Sequence, residues 1–321
     1  MQRILVTGGA GFIGSHVVDA FLAEGCEVLV LDDLSSGSLA NLDPRARFEQ
    51  TSLESTEAMD LLKSFRPEAI FHFAAQIDVR VSVARCVHDA EQNIINTLRL
   101  IETGLKHGLA YFAFASSGGA IYGEAGEGPQ SEEHPERPLS PYGVAKLSID
   151  KYLNSFHHQH GLASCSMRFS NAYGPRQSTR GEAGVVSIFL GQSLSGLPLR
   201  IHGDGLQTRD FVYVKDLARA AKMVLSQRPQ GVLNFSTGIE TSILRLAELI
   251  RSQSSPDHGF ELYPAIKGEQ KCSVLDPSKA ERVLGWEPTV PIESGLMETR
   301  LWYASTIGSS CSKTIITRVP E

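Results

Sequence analysis

Arg3-Ile4-Leu5-Val6-Thr7-Gly8-Gly9-Ala10-Gly11-Phe12-Ile13-Gly14 opens the chain almost at once and governs how the remainder is read. Arg3 to Val6 is a strand-like run. Beyond the glycines, Ile13, Val17, Phe21 and Leu22 recur at helical spacing until Glu24-Gly25 supplies a C-terminal glycine. The glycines satisfy G-x-G-x-x-G through Gly9, Gly11 and Gly14, and G-x-x-G-x-x-G through Gly8, Gly11 and Gly14. Placed between a strand and a helix, they permit a tight turn and let backbone N–H groups approach a pyrophosphate at the helix N-terminus. A glycine-rich turn that binds nothing is the alternative, and the placement argues against it.

Working outward, Glu27 to Leu31 reads as a second strand ending at Asp32, eighteen residues beyond Gly14. A carboxylate at that spacing binds the adenosine ribose hydroxyls and repels a 2′-phosphate. Residues 33–39 hold no Lys or Arg, so NAD is favoured over NADP. Asp32 or Asp33 capping a following turn is the competing reading. Ala69 to Phe73, Tyr111 to Ala115 and Ala163 to Phe169 read as further buried strands, with helices at Asn93 to Gly104 and Pro141 to His160. This alternation predicts an α/β fold with a doubly wound parallel sheet. After about residue 175, Gly and Pro punctuate shorter elements, so a smaller mixed α/β lobe is expected over 176–304, with some segments crossing back. The tail 305–321 has little periodicity and is expected to be loose.

The 321 residues are 42% apolar and 21% charged, with 29 Gly and 15 Pro, a composition that suits a globular protein and excludes disorder and collagen-like repeats. A formal net charge of −6 leaves no basic footprint for nucleic acid or an anionic membrane. Cys26, Cys86, Cys165, Cys272 and Cys311 are far apart and odd in number, so neither a disulfide framework nor a thiolate metal site is expected, and a reducing cytoplasm fits best. No run approaches the roughly 20 apolar residues of a membrane span, and Met1-Gln2-Arg3 leads into a strand instead of a secretory leader.

Tyr142 and Lys146, in Ser140-Pro-Tyr-Gly-Val-Ala-Lys146, are four residues apart and share one face of a helix. An ammonium beside a phenol favours the phenolate, which makes Tyr142 a candidate general base. An ordinary surface pair is the alternative. Tyr263 and Lys267 repeat the spacing, but Pro264 and their distance from the nucleotide-binding half mark that match as accidental. His157, His158 and His160 end a helix, where cations suit the dipole, and no acid or thiol completes a metal set. Asp150 and Lys151 read as a charge pair on a solvated helix face.

Eight motifs in order carry a family resemblance: T-G-G-A-G-F-I-G, D-D-L-S-S-G, H-F-A-A-Q, S-S-G-G-A-I-Y-G, Y-G-V-A-K, R-F-S-N-A-Y-G-P-R, G-D-G-L-Q-T-R-D-F-V-Y-V-K-D-L-A and D-P-S-K-A. Over residues 1 to about 300 the chain resembles the extended short-chain dehydrogenases/reductases, and most of all the UDP-galactose 4-epimerase group of nucleotide-sugar epimerases and dehydratases. The resemblance implies a Rossmann domain over 1–175 holding NAD, with the lobe closing over a UDP-sugar. It makes Tyr142 the base that takes the sugar hydroxyl proton while hydride passes to NAD, giving a 4-keto sugar that turns over before hydride returns. Lys146 then lowers the Tyr142 pKa and holds the nicotinamide ribose. Asn93 supports the helix carrying the pair. Cofactor contacts are implied at Gly8, Gly11, Phe12, Ile13, Gly14, Asp32, Asp33, Ser35, Ser36, Gly37, Ser52, Leu53, Phe73, Ala74, Ala75, Gln76, Ser116 and Phe169. Substrate contacts are implied at Ser117, Gly118, Asn171, Val185, Arg209 and Ser273. Arg209 clamps the diphosphate on this reading, and a structural ion pair with Asp210 is its rival. A homodimer through helices near 90–105 and 143–160 is also implied.

The chain departs from that pattern in places. Four residues before Tyr122, where relatives carry the hydroxyl that bonds the reacting oxygen, stands Gly118, so Ser117, or failing it Ser116, takes the role. Gly118-Gly119 replace the acid pair of the 4,6-dehydratases and the Glu of the decarboxylases, which disfavours both reactions. Ser273 stands where a bulky Tyr excludes N-acetylated sugars, so UDP-GlcNAc and UDP-GalNAc are expected alongside UDP-glucose and UDP-galactose. The usual Arg of R-x-G-[DE] is replaced in Ile266-Lys267-Gly268-Glu269, where Lys267 stands beside the vacant position as a substitute point charge. The leading expectation is thus a UDP-hexose 4-epimerase. A UDP-glucuronate epimerase, a 4-keto sugar nucleotide reductase and a non-catalytic NAD-sensing protein are the rivals.

Overall fold

The computed structural model describes residues 1–124, 128–179, 184–254, 258–266 and 268–309. β1 (Arg3–Thr7) leads through the glycine turn into α1 (Phe12–Ala23), then β2 (Glu27–Asp32), β3 (Arg47–Gln50), α2 (Thr56–Phe65) and β4 (Ala69–His72). Two short helices, α3 (Val79–Ala84) and α4 (Cys86–Ala90), a π-helical turn (Glu91–Ile95) and α5 (Asn96–Lys106) precede β5 (Tyr111–Ser117). α6 (Gly118–Tyr122) and α7 (Pro141–His160) then return the chain to β6 (Ala163–Phe169).

These six strands are parallel and hydrogen bonded in the order β3-β2-β1-β4-β5-β6. The order reverses between β1 and β4, and ligands of doubly wound sheets bind in the crevice beyond the strand ends at that point. Both faces of the sheet are covered: Val6 and Phe71 join Val17 and Phe21 on one side, Leu5 and Ile70 join Leu100 and Phe112 on the other. Strands buried on both faces must be apolar throughout, which is why they were legible as short unbroken runs.

The second half contributes β7 (Asn171–Tyr173), α8 (Val185–Leu194), β8 (Leu199–His202), β9 (Thr208–Arg209), β10 (Phe211–Tyr213) and α9 (Val214–Gln227). β11 (Gly231–Phe235) then crosses back to add a seventh parallel strand beside β6. β12 (Thr241–Ser242), α10 (Ile243–Ser252), β13 (Phe260–Tyr263), α11 (Ser278–Leu284) and α12 (Ile292–Ser309) complete the lobe. A separate core of Phe189, Leu199, Ile201, Leu246 and Ile250 holds it together.

Local chemistry sets the limits of α7, the helix that matters most. The Ser140 side chain accepts from Gly143 N, Pro141 occupies the first turn, and Gly161 closes the other end at φ +68°. The three histidines lie in its last turn, as expected. Two expectations fail. The helix read from Asn93 begins as the π-turn, in which the Asn93 side chain binds Gln76 N and O; the wider turn accompanies that contact with the β4 loop. Residues 305–309, expected to be loose, continue α12, which is anchored by buried Leu296, Thr299 and Tyr303 and by a bond from the Tyr303 hydroxyl to Gln177 O. Residues 310–321 lie outside the described residues, as does Lys267. Tyr263 stands in β13, so no helix joins it to position 267.

Candidate active site

Most of the predicted cofactor residues lie at or just beyond the C-terminal ends of parallel strands: Gly8 after β1, Asp32 and Asp33 at β2, Ser52 and Leu53 after β3, Phe73 to Gln76 after β4, Ser116 at β5 and Phe169 at β6; Asn93 lies in the π-turn, and Tyr142 and Lys146 on α7. Gly8, at φ +68°, abuts the β4 loop so closely that a Cβ would stand 2.5 Å from Ala74 N. A Cβ on Gly14 would stand 2.2 Å from Gly8 O. The turn and α1 therefore pack backbone to backbone, as the motif requires. Gly11 is the N-cap of α1 and offers no side chain to its first turn, so those amides are left to an anion.

Asp32 is buried at the mouth of this turn. Its Oδ2 accepts from Ala10 N at 3.0 Å and its Oδ1 from Leu34 N at 2.8 Å. Burial pushes its carboxyl upward, opposed by those two backbone bonds. Asp33 accepts from Ser35 N at 2.8 Å. Both carboxylates do cap turns, so the competing reading holds for their local bonds, while Asp32 also faces the glycine turn. The donor-rich helix end, the missing Cβ atoms and this carboxylate fit a dinucleotide.

Between β1 and β4 runs a directed chain of hydrogen bonds. Thr97 Oγ1 donates to Asn93 O at 2.8 Å, so it accepts from His72 Nε2 at 2.9 Å, and His72 Nδ1 accepts from Thr7 Oγ1 at 2.6 Å. Burial lowers the His72 pKa to about 3, which keeps the ring neutral for this arrangement. Asn93 Nδ2 and Gln76 Nε2 both donate to Asp89 Oδ1 at 2.9 Å. The loop after β4 is thereby clamped to the π-turn, which packs against α7.

On α7, Lys146 is buried, donates to Ala115 O at 2.8 Å, and lies 5.6 Å from the centroid of the Tyr142 ring and 4.6 Å from that of Phe114. Burial lowers its pKa to about 8, against the pull of the Asp150 and Asp89 carboxylates. Tyr142 does not follow the expectation. Burial, then the Asp89 charge, pushes its hydroxyl above the ordinary phenol range, so desolvation outweighs the neighbouring ammonium. Ser116 Oγ points to Asp150 Oδ1 at 3.1 Å, whereas Ser117, the last residue of β5, caps α6 through Ala120 N at 3.4 Å. Alternation along the strand sends the two hydroxyls to opposite sides.

Arg209 does not pair with Asp210. Its Nη2 meets Glu269 Oε1 at 3.4 Å and its Nη1 donates to Thr208 O. Asp210 is fully buried and accepts instead from Ser170 Oγ, Thr237 N and Oγ1, Gly238 N and Leu275 N. Leu275 in turn presses on the end of β5: a Cβ on Gly118 would stand 2.4 Å from Leu275 Cδ1, and one on Gly119 would stand 3.1 Å from Ser273 Oγ. The structure thus brings Gly118, Gly119 and Ser273 together. Asn171 is exposed at the start of β7, and Val185 begins α8.

A sequence profile of the NAD dependent epimerase/dehydratase family matches residues 4–235. This chain belongs to that family. The UDP-glucose 4-epimerase of Mycolicibacterium smegmatis is 40% identical over 306 residues, covering 93% of this chain and 97% of the relative. The Thermotoga maritima UDP-glucose 4-epimerase solved with UDP-glucose is 44% identical, with a TM-score of 0.93 over 95% of this chain and 100% of that one. The Thermus thermophilus UDP-glucose 4-epimerase in complex with NAD is 39% identical, with a TM-score of 0.88 over 94% and 99%.

Two sets of residues in this epimerase/dehydratase-family chain escape its sequence pattern. Asp150 is not on a solvated face: it is buried and bonded to Arg168, and Lys151 pairs with Glu136 at 2.5 Å instead. An available signal was Arg168 itself, a guanidinium inside an otherwise buried strand, which demands a buried acid. Asp89 was missed because nothing in its local pattern separates it from an ordinary helix residue, and His72 heads the H-F-A-A-Q motif but its partners Thr7 and Thr97 are distant in sequence.

Proposed function

We propose that this chain is a UDP-hexose 4-epimerase that interconverts UDP-glucose and UDP-galactose, and the N-acetylated pair as well, through a transient 4-keto sugar. The observation that carries the reading is a buried ammonium, Lys146, one helical turn from Tyr142 and near the end of β5, in a chain whose glycine turn is built for a dinucleotide. Bound NAD supplies an acceptor for the C4 hydrogen and, when oxidised, a positive ring that favours the phenolate. Tyr142 takes the proton from the sugar 4-hydroxyl and later returns it. Lys146, held by Ala115 O, supports the ionised phenol and the nicotinamide ribose. Ser117 donates a hydrogen bond to the reacting oxygen, because the Ser116 hydroxyl is already committed to Asp150.

Asp32 holds the adenosine ribose, with Asp33, Ser35, Ser36, Gly37, Ser52 and Leu53 around the adenosine. Phe12, Ile13, Asn93, Phe169 and residues 73–76 line the rest of the cofactor. Residues 1–175 serve the cofactor, and 176–304 mainly serve the nucleotide sugar. Arg209 leaves Glu269 to clamp the diphosphate, a guanidinium fork matching phosphate oxygens better than one long contact of 3.4 Å to a carboxylate. Asn171 and Val185 contact the substrate. Ser273, a small side chain packed beside Gly119, admits the acetamido group on this reading.

A second copy of the chain covers the apolar surface formed by exposed Val83, Val87, Ile95, Leu139 and Val144, around a groove of about 460 Å³ between α4 and the start of α7. Cys26, Cys86, Cys165 and Cys272 are free thiols, and a cytoplasmic location belongs to the same proposal. No described helix is long and apolar enough to cross a membrane.

The test is incubation of the purified protein with UDP-glucose, UDP-galactose, UDP-GlcNAc and UDP-glucuronate separately, without added cofactor, with chromatographic resolution of the products. Conversion of the hexoses to a mixture of C4 epimers is expected. Stoichiometric demand for NADH, or no turnover of any hexose, would overturn the proposal.

A further inference from the structure

We infer that Asp150 is a positioning residue of this reaction: from one turn further along α7 it holds Ser116 and so the end of β5, where Ala115 O tethers the Lys146 ammonium. The inference rests on the roles proposed above for Tyr142, Lys146 and Ser117. Positions 142, 146 and 150 lie on one face of α7, so the phenol, the ammonium and the carboxylate form a row. The row ends in a closed network. Arg168 Nε and Nη2 donate to Asp150 Oδ2 at 2.9 and 2.8 Å, and Ser116 donates to Asp150 Oδ1 at 3.1 Å. The side chains of both Asp150 and Arg168 are 1% exposed.

The remaining Arg168 bonds tie the network to the lobe. Nη2 also meets Glu136 Oε1 at 2.6 Å, and Nη1 donates to the Tyr122 hydroxyl at 2.8 Å. That hydroxyl donates to Asn234 Oδ1 at 3.0 Å, and Asn234 Nδ2 reaches Gln130 O and Asp276 O. Asp150 therefore sits where α7, β5 and β6 converge, and it fixes the residue directly before Ser117.

A buried ion pair of this kind contributes little stability compared with apolar side chains of the same volume, so packing alone does not call for it. The neighbourhood explains it better. Lys146 is buried and faces Tyr142 on its own helix, His72 from β4, Asp89 from α4 and Asp150. Asp150 faces Arg168, Ser116 and Ser166, with Cys165 near by on β6. Of these groups only Asp89 and Asp150 favour the cationic form of Lys146; burial pushes the Asp150 carboxyl upward, and Arg168 with the Ser166 and Ser116 hydroxyls opposes that rise.

The experiment uses the full chain with its resident cofactor and compares Asp150→Asn, Asp150→Glu and Ser116→Ala. Asp150→Asn is expected to lower kcat at least tenfold with KM for UDP-glucose within threefold, and to move the alkaline limb of kcat to lower pH, because Lys146 loses its proton sooner. Asp150→Glu restores the limb. Ser116→Ala lowers kcat several-fold and leaves the limb in place. An NMR titration of Lys146, assigned by its loss in Lys146→Met, reads the same shift without any substrate. An unmoved Lys146 titration in folded Asp150→Asn overturns the inference. Should that variant not fold, a wild-type kcat in Ser116→Ala overturns it equally. Failure of the wild-type chain to turn over any UDP-hexose refutes the proposed reaction and leaves the Lys146 titration to judge Asp150 alone.

Discussion

Lys146 Nζ lies 5.6 Å from the centre of the Tyr142 ring and is tethered 2.8 Å from Ala115 O, so the ammonium is fixed by β5 and not by the phenol it serves. Loss of the phenol should then leave the lysine in place. Tyr142→Phe is expected to lower kcat for UDP-glucose by about 10² to 10⁴-fold, the usual worth of a general base, with an unchanged melting temperature. Chromatographic rate assays check this, and activity within tenfold of wild type would remove Tyr142 from the mechanism.

The pH dependence follows from the same lysine. Its pKa is lowered from 10.5 to about 8, so between those values the unfolded chain binds more protons than the folded one. The cost of burying the charge is fully present below pH 8 and is relieved as pH rises toward 10.5. Relative to Lys146→Met, wild-type stability should improve by up to about 3 kcal/mol across that window. Urea unfolding at pH 7.5 and pH 10 measures it. Activity should move the other way, falling as Lys146 loses its proton near pH 8.

Gly14→Ala places a Cβ 2.2 Å from Gly8 O, with backbone on both sides and nothing flexible to give way. The expected loss is at least about 2 kcal/mol of stability, together with loss of bound NAD on purification. Absorbance of the acid-extracted cofactor and thermal denaturation test both parts.

Gly118 and Leu275 should be coupled. A methyl at 118 would meet Leu275 Cδ1 at 2.4 Å; the Leu275 backbone is held by Asp210 and Ser236, so its fully buried side chain must turn within a packed core to make room. Gly118→Ala should cut turnover about tenfold or more, and Leu275→Ala should recover part of it, giving a coupling of at least about 1 kcal/mol. Additive effects in the double variant would disprove the contact's importance.

Ser273→Tyr fills the space beside Gly119, where Ser273 Oγ stands 3.1 Å from the place of a Cβ. Turnover of UDP-GlcNAc should fall at least tenfold relative to UDP-glucose. An unchanged ratio of the two would show that position 273 does not gate the acetamido group.

What the linear chain determined was local. The glycine turn, the unbroken apolar strands and the Ser140, Pro141 and Gly161 limits of α7 are legible because each depends on residues within a few positions of one another. The register of Tyr142 with Lys146 is legible for the same reason. Only the tertiary structure decided the charge state and company of those side chains. Asp150 looked solvated because its partner Arg168 arrives on a strand eighteen residues later, and Arg209 chose Glu269 over its neighbour Asp210 because Asp210 turns inward to five donors. Desolvation is a property of the packed whole, so the upward shift of Tyr142 could not be read from a spacing of four, however plainly the spacing placed an ammonium at its side.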